Sequence, residues 1–411
     1  MTLPRPRLAF PAAAAIVLAV AALLPAALTA APFDTRARAA LVIDMTSGAT
    51  LLEKNPDTPI PPASMSKLMT LNMVFEALQE GRLSLDESFR VSEKAWKMGG
   101  SRMFVREGDR IRVEDLIRGV VIQSGNDACV VLAEGLAGSE EAFADRMTAR
   151  ARELGMNGST FANATGWPDP RHMMTARDLI FLAQRMIKQF PEYYHYYAET
   201  DFEWDGVAQK NRNPLLYLDI GADGLKTGHT EEAGYGLVGA ALREGRRIAF
   251  VMTGLDSTKA RSVESERMLT WAYREFKTGK IADAGQIVGE VDVWLGAAEK
   301  VAVTPASAIV ATTPYGGGDE MKVSIRYDGP VEAPIELGQE VAQLVIEAPG
   351  LKPVTAPLVA AASVKKGGVL TLAAAAASLL FAKVVGGGED GAAGPEGAAP
   401  EAPATDAPQS E

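Results

Sequence analysis

The spacing of apolar positions changes character several times along the chain, and each change marks an element or a boundary. In "AALVIDMTSGATLLEK" the run from Ala39 to Met45 is rich in strand formers, Thr46-Ser47-Gly48 supplies turn chemistry, and Ala49 to Leu52 returns, which predicts a β-hairpin. Helical periodicity dominates the long stretch that follows. Val113, Leu116, Ile117 and Val120 form one apolar stripe; Phe143, Met147, Ala151 and Leu154 form another, with Ser139 placed to cap it and Gly155 to stop it. From Gly221 the pattern returns to strands in "GLKTGHT", "AGYGLVGAAL" and "RIAFVMTG", the last two joined by a turn around Glu244-Gly245. A helix from Val263 to Phe276 closes this part.

Strands at both ends of a segment with helices between them belong in one sheet, whose faces the helices must cover. Residues 34–278 therefore read as one α/β domain. Beyond Gly279, "QIVGEVDVWLG", "KVAVTP", "MKVSIRYDG" and "EVAQLVIEA" alternate apolar with polar between Gly and Pro, which predicts a small all-β domain over 280–362. The two ends read differently. Arg5 and Arg7, an apolar run from Leu8 to Leu28 and small residues at Thr29, Ala30 and Ala31 make residues 1–30 a secretory signal peptide, cleaved near Ala30. The mature protein is thus expected outside the cytoplasm. Residues 366–385 form a membrane-anchoring helix candidate whose apolar part, Val369 to Val385, would be roughly 25 Å long at about 1.5 Å per residue, just short of a bilayer core of about 30 Å. Lys365 and Lys366 ahead of it favour a helix lying in the outer face of the membrane over one that spans it. Gly386 to Glu411 holds Ala, Pro, Gly and six acids with no aromatic residue, too little apolar surface to order itself.

Charge and cysteine content narrow the function. Lys and Arg total 41 against 52 Asp and Glu, a net charge of −11, which argues against nucleic acid as a partner. One cysteine excludes an internal disulfide framework, and His172, His195 and His229 lack metal-ligand spacing, so neither metal nor cofactor is expected. Cys129 lies in apolar "DACVVLAE" and reads as a packed, inert thiol.

Candidate chemistry begins at "PPASMSKLMT". Ser64 and Lys67 stand three apart where a helix starts, so the amine can reach the hydroxyl. Serine alone is a poor nucleophile, but a neutral lysine beside it can take its proton, and the helix dipole favours negative charge at the first turn. Taken alone, such a pair is usually a solvated helix face. Two further stretches change the reading: "QSGND" puts Ser124, Gly125 and Asn126 at a turn between helices, and "LKTGH" puts Lys226, Thr227 and Gly228 on a strand. S-x-x-K, S-D-N and K-T-G in this order are the signature of penicillin-binding proteins and class A β-lactamases, with Gly125 here in place of the aspartate.

Together with "LIRGVVIQSGNDACVVLAE", "GWPDPRHMMTARDL" and "DGLKTGHTEEAGYGLVG", these motifs resemble the low-molecular-mass D-alanyl-D-alanine carboxypeptidases, the penicillin-binding protein 5 group, over roughly residues 34–385. That group carries Ser-Gly-Asn in its second motif. The resemblance implies a β-lactamase/transpeptidase-like fold, with an antiparallel sheet of about five strands covered by helices and followed by the all-β domain. It implies release of the terminal D-alanine from the stem pentapeptide of peptidoglycan through an acyl-enzyme on Ser64, and β-lactam antibiotics as covalent inhibitors. Lys67 would be the base, its pKa depressed by burial and by Lys226 towards about 7 to 8. Ser124 would pass a proton to the leaving amine, and Asn126 would donate to the substrate amide. The strand of Lys226, Thr227 and Gly228 would pair with the substrate, and backbone N–H groups there and at Ser64 would form an oxyanion hole. Thr227, His229 and Arg261, the last in "STKARSVESE", would read the terminal carboxylate.

Two rivals remain. A serine β-lactamase needs a glutamate to activate water, and "ELGMN" offers Glu153; its place in the last helical turn before Gly155 reads as a solvated residue. A wall-binding protein that holds D-alanyl peptide without turnover would keep the same pocket.

Overall fold

The structure, a computed structural model, describes residues 33–316 and 320–368. The signal segment 1–30, the apolar helix candidate Val369 to Val385 and the acidic tail lie outside the described residues. Among the described residues no helix is long and apolar enough to cross a membrane.

A five-stranded antiparallel sheet organises the first part of the chain, in the spatial order Thr50–Lys54, Ala39–Asp44, Arg246–Leu255, Gly234–Arg243, Ala222–Thr230. Side chains alternate across a strand, and here both sides are covered. Ala39, Leu41, Ile43, Val238, Ala240, Ala249 and Val251 enter one core with the helices of residues 67–189, while Ala40, Val42, Leu237, Ala241, Ile248, Phe250 and Met252 enter another with the helix Thr258–Glu275. Burial on both faces explains why these strands read as nearly unbroken apolar runs. The helix Lys67–Gln79 is buried at most positions, as is Asn126–Ala137 from Asn126 to Ala133. Both start beside chemistry-bearing residues.

The sheet and its helical cover follow the sequence reading, and several elements do not. The closing helix runs over Thr258–Glu275 rather than from Val263, because the Ser257 hydroxyl accepts the Ala260 N–H at 3.0 Å and sets an earlier start. Phe276 begins a strand, Phe276–Ala282, which pairs with Ile309–Pro314. Within the segment read as helical, Ser88–Arg90 pairs with Arg110–Arg112, and Asp201–Trp204 with Val207–Lys210.

The chain forms two compact units. Of the described residues, the first holds 33–281, 309–316, 320–324 and 345–355, and the second holds 282–308, 325–344 and 356–368. The C-terminal part is all-β, and its six-stranded sheet contains the four predicted strands, at Gly289–Trp294, Lys300–Pro305, Lys322–Arg326 and Glu340–Glu347. Val331–Glu332 and Val354–Ala360 complete it.

Candidate active site

Three separate stretches of chain converge at the outer strand Ala222–Thr230. Pro61 and Pro62 lead into a 3₁₀ turn, Ala63–Ser66, continued by the helix from Lys67. In 3₁₀ geometry residues i and i+3 eclipse, and Lys67 Nζ donates to Ser64 Oγ at 2.9 Å. The same amine donates to Asn126 Oδ1 at 2.7 Å and to the Thr165 carbonyl at 2.5 Å. Lys226 Nζ donates to Ser124 Oγ at 3.0 Å and to its neighbour's carbonyl, Thr227 O, at 3.3 Å. Each serine therefore has its own amine.

Lys67 is 0% exposed and Lys226 2%. Burial penalises a charged ammonium far more than a neutral amine, so the Lys67 pKa is lowered to about 8, with the Arg212 charge adding to the effect and the Asp127 and Glu140 charges opposing it. Lys226 is driven well below the ordinary lysine range, by burial first and then by Lys67 and Arg212.

The surroundings fix these groups tightly. Ala63 (φ 49°) and Ser124 (φ 57°) both occupy the left-handed region, a strain that persists where packing over-determines the backbone. A Cβ at Gly228 would lie 3.0 Å from both Met65 Cγ and the Pro62 carbonyl, so the strand presses directly on the turn that carries Ser64. Gly166, at φ +78°, abuts the Ala63 carbonyl, where a Cβ would come within 2.0 Å. Asn163 Oδ1 accepts the N–H groups of Thr165, Gly166 and Trp167, shaping the loop that delivers the Thr165 carbonyl to Lys67.

A cleft of about 250 Å³ opens over this arrangement, lined by Ser64, Ser124, Thr227, Gly228, His229 and Arg261 together with Ser101, Arg212, Tyr235 and Thr258. The structure thus brings together all nine residues singled out from sequence, six on the wall and Lys67, Asn126 and Lys226 buried and bonded to it or to one another. His229 stacks on Tyr235, with ring centroids 3.8 Å apart. Arg261 is 7% exposed, its Nε lacks a hydrogen-bond partner among the described residues, and burial lowers its pKa to about 10. A guanidinium held with bonding capacity to spare, on a cleft wall it shares with Arg212, suits an anion. Sequence reasoning missed Ser101 and Arg212, although Arg212 Nη1 donates to Ser101 Oγ at 2.5 Å; an arginine in a polar loop gives no advance signal. Cys129 is buried, and desolvation pushes its thiol up to about 12, in keeping with inert packing. Glu153 is exposed and ion-paired with Arg150 at 2.7 Å.

A serine hydroxyl bonded to a low-pKa amine, beside the free margin of an antiparallel sheet and facing a cationic wall, is the equipment of an enzyme that transfers acyl groups through serine. The chain belongs to the D-alanyl-D-alanine carboxypeptidase family, peptidase family S11, whose model matches residues 26–257. A model for the C-terminal domain of penicillin-binding protein 5 matches residues 276–366. The chain is 36% identical over 340 residues to the D-alanyl-D-alanine carboxypeptidase DacC of Escherichia coli strain K12, covering 81% of this chain and 85% of that protein. It resembles the crystal structure of penicillin-binding protein 5 from Haemophilus influenzae with a TM-score of 0.75 at 34% identity, over 82% of this chain and 99% of that one. It also resembles penicillin-binding protein D2 from Listeria monocytogenes in its ampicillin-bound form, with a TM-score of 0.54 at 30% identity, over 59% of this chain and 99% of that one.

Proposed function

We propose that the protein removes the terminal D-alanine from peptidoglycan stem pentapeptides, through an acyl-enzyme on Ser64 that β-lactams form as well. The bond from Lys67 Nζ to Ser64 Oγ, with the amine lowered to about 8, carries this reading. The stem peptide lies along the free side of Ala222–Thr230, as peptides add to exposed sheet edges. Its carboxylate meets Arg261, Thr227 and His229, and neutral Lys67 takes the Ser64 proton as Oγ attacks the carbonyl between the two D-alanines. Backbone N–H groups of Ser64 and of the strand stabilise the oxyanion, while Ser124, bonded to Lys226, returns a proton to the leaving amine. Asn126 is already engaged by Lys67 through its oxygen and by the Gly99 carbonyl through its nitrogen, so it contributes to substrate binding by exchanging that second bond for one to the peptide amide.

Fluorescent penicillin and a pentapeptide ending in D-Ala-D-Ala test the reading together. Stable labelling at Ser64 with D-alanine release is expected; rapid turnover of the label would mark a β-lactamase, and labelling without release a wall-binding protein. The surface ion pair of Glu153 with Arg150 favours the first outcome, since it occupies the glutamate that water activation would need.

The pH dependence has a definite sign. Only neutral Lys67 accepts a proton, so kcat/KM for acylation rises with pH through about 8 and falls below it. The linked stability runs the same way: between about 8 and the unfolded value near 10.5 the unfolded chain holds more protons, so the cost of burying this lysine is full below 8 and relieved above it. A flat rate from pH 6 to 9 would remove Lys67 as the base.

Secretion by residues 1–30 and attachment to the outer face of the cytoplasmic membrane through residues 366–385 complete the proposal. A form ending before Val369 is expected to be soluble and active. Its recovery only with membranes would overturn the anchor.

A further inference from the structure

Asp127 is buried, 1% exposed, and among the described residues it has no ion-pair partner. Instead its carboxylate accepts four backbone N–H groups: Oδ1 from Met103 at 2.8 Å and Ala128 at 2.9 Å, Oδ2 from Phe104 at 2.8 Å and Val105 at 3.2 Å. A buried charge without a counter-ion is retained only where such bonds replace water. They clasp a strained segment, for Phe104 sits at φ 70° with its ring exposed.

The stretch just ahead of the clasped residues touches the site at three points. The Ser101 carbonyl accepts the Asn126 N–H at 2.8 Å, the Gly99 carbonyl accepts Asn126 Nδ2 at 2.9 Å, and Ser101 Oγ accepts Arg212. Asn126 in turn receives Lys67 Nζ on its oxygen. Gly125 explains how the carboxylate reaches this place. A Cβ there would lie 2.9 Å from Asp127 Oδ1 and 3.1 Å from the Met103 nitrogen, so glycine leaves open the volume that the Asp127 carboxylate fills. The S-D-N signature has its acid at the middle position; here the acid arrives from two residues further on.

The geometry points to Asp127 as a positioning residue for the proposed acyl transfer: through Gly99 and Ser101 it fixes Asn126 against Lys67 and holds Ser101 and Arg212 on the cleft wall. Its charge also bears on Lys67, opposing burial, alongside Glu140 and against Arg212, with Lys226 the second amine of the site. This inference rests on the carboxypeptidase reading, and the experiment separates the two.

Asp127→Asn offers an amide nitrogen to N–H groups that need an acceptor. We expect kcat/KM for D-alanine release and the rate of penicillin acylation to fall about 10- to 100-fold in folded protein, with the acid limb of the pH profile moved to lower pH because a negative charge near Lys67 is gone. Gly125→Asp combined with Asp127→Ala should regain at least a tenth of the wild-type rate, since it returns a carboxylate to the same volume. Wild-type rates and an unmoved limb in Asp127→Asn would overturn the assignment. So would a double variant that fails to fold or folds without activity, which also decides the matter if Asp127→Asn does not fold. Wild-type protein that takes up penicillin but releases no D-alanine would instead sink the carboxypeptidase reading and leave acylation as the measure of Asp127.

Discussion

Ser64→Ala is expected to abolish penicillin labelling and to reduce D-alanine release by at least about 10⁴-fold, with little change in melting temperature. The hydroxyl is half-buried and its bond within the site is to Lys67. Removing a nucleophile leaves binding and oxyanion stabilisation in place, and those alone give only a small residue of catalysis. Lys67 keeps two other acceptors, the Asn126 side chain and the Thr165 carbonyl, so the variant creates no stranded amine. Covalent labelling followed by mass spectrometry of the intact protein reads the result. Release near the wild-type rate would end the assignment of Ser64 as nucleophile.

Lys67→Ala should cost about 10² to 10⁴ in acylation rate, the range for loss of a general base. It should also destabilise the fold, because Asn126 Oδ1 and the buried Thr165 carbonyl lose their donor together. Lys67→Arg separates the two effects. A guanidinium can donate to those acceptors but cannot give up its proton in a protein, so a folded yet inactive Arg variant marks Lys67 as the base. An Arg variant with full activity would show that the position serves only to hold its neighbours.

Much of this site was legible because hydroxyls and amines were spaced within elements that orient them, as at Ser64 and Lys67, and because Lys226 lies on a strand readable from its apolar neighbours. Arg212 and Ser101 were not legible. Their places depend on how the Asp201–Lys210 hairpin and the loop before Val105 approach the cleft, and no local pattern encodes that approach. The fold shows the same division. Strands buried on both faces announce themselves by unbroken apolar runs, whereas Ser88–Arg90 and Arg110–Arg112 are three residues each and too short to establish a period. The start of the helix at Thr258 was available in principle, since Ser257 is a good cap, but the apolar stripe that defines this helix begins later.

The bare backbone at Gly228 acts as a gauge. With no side chain of its own at Gly228, the strand closes directly on the Pro62 carbonyl and the Met65 side chain, which fixes its distance from the turn that carries Ser64. Reacting atoms must approach within about 3 to 3.5 Å, so even a methyl-sized spacer would consume most of that tolerance. The seat of the serine is thereby held against the sheet by backbone packing, so a substitution at Gly228 would displace Ser64 itself rather than merely crowd the cleft.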